Sequence, residues 1–287
     1  MDATTIITQI FLPISLAIIM FGMGLTLVLS DFSRLFTYPK EVFIGLCNQL
    51  IFLPLIGFLI ILLFDLNSSM AIGIMILSLC PGGPTSNLIT QVARGNIGLS
   101  VTLTAIASLI TVFTIPIILS EAIAHFTGET DVVIELPVLQ TMIQILVITV
   151  IPISVGMVIR KKNEAFALRM ERPMRIASTV LFIIIFLLVM FANKDLIIQA
   201  MKEVGFATLL LNLSTMALGY ITAKFFGIKG KSQISITIES GIQNGTLAFV
   251  IATTILNNVE MGLPTGAYSI WMFISGGFLM WRLGASK

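Results

Sequence analysis

The chain has 287 residues, of which 57% are hydrophobic and only 10% charged, with a net charge of +2. Soluble domains carry about 25% charged residues, so the composition predicts an all-α polytopic membrane protein with essentially no sequence left over for a soluble domain. In such a protein the distribution of charge carries information and the total does not. Cys47 and Cys80 both lie inside apolar segments and read as small buried hydrophobes. The single histidine, His125, is expected in a polar loop, which argues against a histidine-based catalytic or metal centre.

A helical crossing needs about 20 apolar residues. In chain order the runs fall near 6–29, 42–64, 69–93, 98–119, 137–159, 176–192, 204–226, 232–256 and 264–281. The first is preceded by Asp2 rather than a basic region, so no cleavable signal peptide is expected. The third and eighth runs are interrupted. One contains Cys80-Pro-Gly-Gly-Pro-Thr-Ser-Asn87 and the other Glu239-Ser-Gly-Ile-Gln-Asn-Gly245. Counting each interrupted run as one crossing gives nine spans. Of the 16 Lys and Arg residues, all but Lys194 and Lys202 then fall on one side of the membrane, a 14-to-2 partition. The positive-inside rule places that side in the cytoplasm, with the N-terminus outside and the C-terminus inside. Thirteen of the 14 acids fall in loops, and the one left at membrane depth is Glu239. A carboxylate there costs roughly 2.5–3.5 kcal/mol on insertion scales, so it requires a partner or a purpose.

The interrupted spans echo one another. Each follows a span with a central amide, Gln49 or Asn212, and each precedes one further span. The first set of three starts on the cytoplasmic side and the second on the outside, the pattern of an inverted repeat. Pro81-Gly-Gly-Pro84 cannot continue a helix, because proline lacks the amide donor and glycine is permissive. Backbone freed in this way must face protein, water or ligand. Helices restarting at Ser86-Asn87 and after Asn244 would point their positive N-terminal ends at the midplane, which favours an anionic group. Glu239 and the oxygen-rich unwound backbone favour a hard cation. Ser100 and Thr104 share a helix face, and on their own they are ordinary hydroxyls bonding back to the helix. Gln49 in mid-span is on its own a helix–helix hydrogen bond.

Met20-Phe-Gly-Met-Gly-Leu-Thr26, Cys80–Asn87 with Arg94-Gly-Asn-Ile-Gly-Leu-Ser100 after it, and Glu239-Ser-Gly-Ile-Gln-Asn244 resemble the bile acid:sodium symporter family over nearly the whole chain. The resemblance implies a single transmembrane transporter domain over 1–287, in which two discontinuous helices cross. A core of spans near 42–119 and 204–281 would rock against a panel of spans near 6–29, 137–159 and 176–192. The chain starts at what resembles the second span of ten-span members, and so corresponds to the nine-span form. The resemblance also implies two sodium sites. The first would comprise Ser86, Asn87, Ser100, Thr104 and Glu239; the second Gln49, Glu239, Gln243 and the backbone of Ser240 and Ile242. Asn244 matches the family's asparagine at the second crossing. Pro84 stands where the family carries a polar Thr or Asn, which removes a donor beside the expected anion site at Thr85–Asn87.

The expectation is therefore a sodium-coupled symporter of an organic anion, bile-acid-like or a small carboxylate, in a bacterial inner membrane. Its partners would be the anion, two sodium ions and the lipid bilayer, with neither nucleic acid nor a protein partner. A proton-coupled or exporting carrier on the same scaffold is the alternative, with Glu239 shuttling a proton. An intramembrane protease would need paired acids or histidines at depth, and a receptor would need a signalling domain or a partner-binding tail; the cytoplasmic loops are short.

Overall fold

The computed structural model describes residues 7–128, 136–170, 194–284 and scattered positions between 173 and 184. The span expected near 176–192 lies largely outside the described residues. Among the described residues every named element is a helix. Five helices are long and apolar enough to cross a membrane: Gln9–Thr26, Pro39–Phe64, Ile97–Thr127, Val138–Lys162 and Met201–Phe225. Ser68–Leu79 and Gly245–Ile255 are apolar but shorter. Leu263–Gly284 has the length, at 22 residues, but its glycines, hydroxyls and Arg282 keep it out of the five.

We label the helices α1 (7–26), α2 (Leu29–Thr37), α3 (Pro39–Phe64), α4 (Ser68–Leu79), α5 (Pro84–Val92), α6 (Ile97–Thr127), α7 (Val138–Lys162), α8 (Lys194–Phe225), α9 (Lys231–Gly241), α10 (Gly245–Ile255) and α11 (Leu263–Gly284). Among the described residues four segments are π-helical: Asn48–Phe52 within α3, Leu146–Val150 within α7, Ile7–Phe11 at the start of α1 and Ile251–Ile255 at the end of α10. Three have a common local cause. Pro13, Pro54 and Pro152 each lie two residues beyond a π segment. A proline has no N–H for the carbonyl four residues back, so the hydrogen-bond ladder slips to the wider register.

α1 packs mainly along the second half of α7. The contact is close because Gly24 and Gly156 face it: a Cβ on Gly156 would lie 2.6 Å from the carbonyl oxygen of Phe21. Small residues that let backbones approach are the usual means of packing helices in lipid. α8 lies against α9 and α11, and α4 against α3 and α6. The amphipathic α2 joins α1 to α3 and is pinned to α6, where the Thr102 hydroxyl donates to the Asp31 carbonyl at 2.9 Å. His125 departs from expectation: it sits in the last turn of α6, because that helix continues eight residues past the expected apolar end at 119. Its ring packs edge-on to Phe126, with centroids 4.9 Å apart.

Both interrupted runs break where their polar centres lie. α4 ends at Leu79 and α5 begins at Pro84; α9 ends at Gly241 and α10 begins at Gly245. The two unwound stretches meet in an isolated antiparallel bridge between Gly82 and Gln243. The Asn244 amide donates to the Pro81 carbonyl at 2.8 Å. Backbone that a helix would have satisfied is thus paired across the crossing, as burial in an apolar medium demands.

Candidate functional site

Glu239 occupies the last turn of α9, 1% exposed, three residues before the break. Its carboxylate meets three hydroxyls from the other half of the chain. Ser86 on α5 donates to Oε1 at 2.6 Å, Ser100 on α6 donates to the same oxygen, and Thr104, one turn further along α6, donates to Oε2 at 2.9 Å. All three hydroxyl residues are fully buried. Asn87 stands one step out: its Oδ1 accepts from Ser100 Oγ at 2.8 Å and does not reach the carboxylate itself. Among the described residues the side-chain partners of Glu239 are hydroxyls, not cations.

The cluster is rich in acceptors and poor in donors. Each hydroxyl has one proton. Ser86 faces both Glu239 Oε1 and the Gly83 carbonyl, at 2.6 and 2.7 Å. Ser100 faces Glu239, Asn87 and, at 3.3 Å, Thr90. Two hydroxyl protons cannot make all of these contacts at once. A bound cation would use the surplus lone pairs, so the donor set fits a hard cation. There is also room in only one way: a Cβ on Gly82 would press on Glu239 Oε2 and lie 3.2 Å from both Gln49 Nε2 and Ser86 Oγ. Glycine keeps that space clear of side chain. No cluster of three or more His, Cys, Asp or Glu occurs among the described residues.

The second expected group gathers at the break that follows Glu239. Gln49 lies in the π segment of α3, and its Nε2 is 3.4 Å from Gln243 Oε1. Gln243 Nε2 donates to the Ser240 carbonyl at 3.0 Å and to the Glu239 carbonyl at 3.4 Å. Gln49 Oε1 is buried without a partner. Ile242 is fully buried in the break, and its amide closes on the Ile238 carbonyl at 2.9 Å.

Beside the crossing lies a cavity of about 340 Å³ between α1, α5, α6, α10 and α11. Thr85, Asn87, Gln243 and Asn244 are among its polar lining residues, and Pro84, Ile19, Met23, Val101 and Met272 are among the apolar ones. Asn244 Oδ1 caps α10 by accepting from the Leu247 amide at 3.0 Å, while its Nδ2 is buried without a partner. The sequence reading missed Gly82 as the residue that keeps the cradle open. α1, expected in the panel, walls the cavity with Gly22 of the Met20–Thr26 motif among its lining residues. Neither Tyr268 nor the engagement of Asn212 was anticipated. Both donate to the Gly241 carbonyl, at 2.9 and 2.8 Å.

Buried oxygen donors at two broken helices, beside a cavity and inside a bundle of apolar helices, define a membrane transport protein. Residues 13–200 match the Sodium Bile acid symporter family. The chain is 31% identical over 271 residues to the uncharacterized sodium-dependent transporter YocS of Bacillus subtilis, covering 94% of this chain and 81% of that one. It is 30% identical over 279 residues to the probable sodium/metabolite cotransporter BASS1 of Arabidopsis thaliana chloroplasts, covering 96% and 67%. With the human ileal sodium/bile acid cotransporter the identity is 25% over 249 residues, 86% and 70% of the two chains. The chain belongs to the sodium bile acid symporter family. It is a membrane-spanning member of a family of transporters and not an enzyme.

Proposed function

We propose that this protein is a sodium-coupled symporter that carries an organic anion by alternating access. The reading rests above all on Glu239, a buried carboxylate whose neighbours are acceptor-rich hydroxyls and amides instead of a cationic side chain. Two sodium ions would share it. One binds among Ser86, Asn87, Ser100, Thr104 and Glu239, and the other among Gln49, Glu239, Gln243 and the carbonyls of Ser240 and Ile242. The anion occupies the neighbouring cavity, with its carboxylate on Asn244 Nδ2 and the N-terminal ends of α5 and α10. A volume near 340 Å³ suits a small organic anion. Asn87 and Gln243 belong to both places: each lines the cavity and each touches the cation cluster.

In this reading the chain crosses the membrane nine times as an inverted repeat, with the start of α1 outside and the C-terminus in the cytoplasm. α1, α7 and the span near 176–192 form the panel; α3–α6 and α8–α11 form the core. The extensive α1–α7 contact supports that division. The cavity flanks the C-terminal half of α1, through Thr26, Gln91, Ile97 and Met280, which is the cytoplasmic side in this topology. At the other end the π turn of α1 is tied to α10: Gln9 Nε2 donates to the Thr253 carbonyl and to Asn257 Oδ1, each at 3.2 Å. The conformation is thus open inward and closed outward.

Two measurements test the proposal. Sodium, but not potassium, is expected to raise the melting temperature of the purified protein, and Glu239→Ala to abolish that response. In proteoliposomes, anion uptake is expected to follow a sodium gradient; uptake that ignored sodium and followed a pH gradient would overturn the reading in favour of proton coupling.

A further inference from the structure

The last turn of a helix leaves its final carbonyls without amide partners. In α9 these are the carbonyls beside the cation ligands, and each is satisfied differently. The Ile238 carbonyl takes the Ile242 amide at 2.9 Å. The Glu239 and Ser240 carbonyls are both served by one group, the side-chain amide of Gln243, at 3.4 and 3.0 Å. The Gly241 carbonyl is served by two: Asn212 Nδ2 from α8 at 2.8 Å and Tyr268 OH from α11 at 2.9 Å. A carbonyl oxygen has two lone pairs, so this one is saturated. Asn212 and Tyr268 are fully buried and cannot easily swing away. Gly241 is also held sterically, since a Cβ there would collide with Met216 Cγ, one turn beyond Asn212 on the same face of α8.

We infer that Asn212 and Tyr268 are positioning residues of the cation site, which withhold the Gly241 carbonyl from the ion and so fix which carbonyls of the break can serve as ligands. This rests on the symport reading above. A cation entering the second group has only to displace the Gln243 amide to reach the Ser240 carbonyl, and Gln243 is itself in the ligand set. Reaching the Gly241 carbonyl would mean breaking two buried hydrogen bonds. The arrangement carries a cost that a purely structural contact would avoid: Asn212 Oδ1 is buried with no partner, where an apolar side chain would leave nothing unsatisfied. Gln49 precedes the first break as Asn212 precedes the second, and the hydroxyls of α6 follow it as Tyr268 follows the second. In the first half the hydroxyls hold the carboxylate. In the second half the same kinds of group are spent on a carbonyl, which leaves cation binding to one side of the crossing.

The test is a cation titration of the full-length protein, purified in detergent, read by thermal shift in sodium and in potassium chloride against a choline chloride baseline. Tyr268→Phe removes only the hydroxyl. It is expected to raise the half-saturating sodium concentration about tenfold, the size of one lost buried hydrogen bond, and to narrow the margin between sodium and potassium. Asn212→Leu carries the same expectation and decides the matter where Tyr268→Phe does not fold. A variant that melts earlier in choline but keeps the wild-type sodium half-saturation and sodium-over-potassium margin shows a structural contact only, and overturns the inference; so does a variant with no change at all. Glu239→Gln runs alongside. If it abolishes the sodium response while Tyr268→Phe and Asn212→Leu leave the response intact, the positioning role alone fails. If it keeps the response, the cation-site reading and this inference fall together.

Discussion

Gly82→Ala places one methyl group between the carboxylate of Glu239, the amide of Gln49 and the hydroxyl of Ser86. The backbone tolerates the change, because among the described glycines only Gly227 and Gly230 have a positive φ. The effect is therefore steric. The new Cβ would press on Glu239 Oε2, with Gln49 Nε2 and Ser86 Oγ each at 3.2 Å. To regain ordinary van der Waals contact the carboxylate oxygen must retreat by about 1 Å. That oxygen is the one that Thr104 holds at 2.9 Å, and a retreat of this size carries the hydrogen bond past its useful range. Overpacking of this kind costs roughly 1–3 kcal/mol, and a hydrogen bond to a charged group is worth roughly 1.5–3 kcal/mol. Because the displaced atom is a proposed ligand of both ions, the loss falls on binding. Sodium affinity is expected to drop 10- to 100-fold, about 1.4–2.7 kcal/mol. Isothermal titration of sodium into Gly82→Ala, beside its melting temperature in sodium-free buffer, separates the two effects. Wild-type sodium affinity in a folded Gly82→Ala protein would refute the idea that the gap beside Gly82 is where the ion sits.

Three further outcomes are expected. Asn244→Ser keeps an oxygen to cap α10 but removes the unpartnered amide, so anion affinity should fall about tenfold with little loss of stability; equal affinity would move the anion elsewhere in the cavity. Gln9→Ala deletes both bonds between α1 and α10, together worth roughly 1–2 kcal/mol, and should shift the outward-open population about 5- to 30-fold. Spin labels at the exposed Ile10 and Glu260, in a Cys47→Ser background, would report it as a longer distance; an unchanged distribution would remove Gln9 from the gate. Pro54→Ala restores an amide to the Leu50 carbonyl and should let the π segment of α3 revert to α-helix, turning Gln49 away from Gln243. Sodium affinity should weaken while the melting temperature in choline holds or rises, and unaltered sodium binding would show that the π turn does not aim Gln49.

The crossing was legible in the sequence because the residues that break helices are chemically conspicuous. Pro81, Gly82, Gly83 and Pro84 in an apolar run allow no continuous helix, and both breaks lie where the sequence put them. Ser86, Ser100 and Thr104 all donate to the carboxylate of Glu239. The π segments were not legible. An apolar run that is buried on one side and faces lipid on the other has no contrast from which to read a register slip, and Pro13, Pro54 and Pro152 read equally well as ordinary first-turn prolines. The role of Tyr268 was hidden for a different reason. It acts on a backbone carbonyl, and which carbonyls a broken helix leaves unpaired depends on how the break is folded. The boundary of α6 was missed because a helix that leaves the bilayer need not end there, so Glu121 and His125 extend it past its apolar stretch.

The hydroxyl of Ser100 suggests how cation and anion are linked. It has one proton and lies within reach of Glu239 Oε1, Asn87 Oδ1 and Thr90 Oγ1. While Glu239 is bare, its negative charge holds that proton, because hydrogen bonds to ionised acceptors are roughly twice as strong as neutral ones. Asn87 is then left without its donor and its amide is free to turn. In the proposed symport, a sodium ion on the carboxylate would take up the charge and draw on the lone pairs of Ser100, which would leave the proton to Asn87. With Oδ1 so anchored, the opposite end of the same amide is held in place at the cavity wall, where Asn87 stands beside Thr85 and Asn244. The cation thus need not touch the anion to favour it. On that reading it would order a donor in the proposed anion pocket, and by reciprocity an anion that held the Asn87 amide in that orientation would strengthen sodium at Glu239 by the same factor.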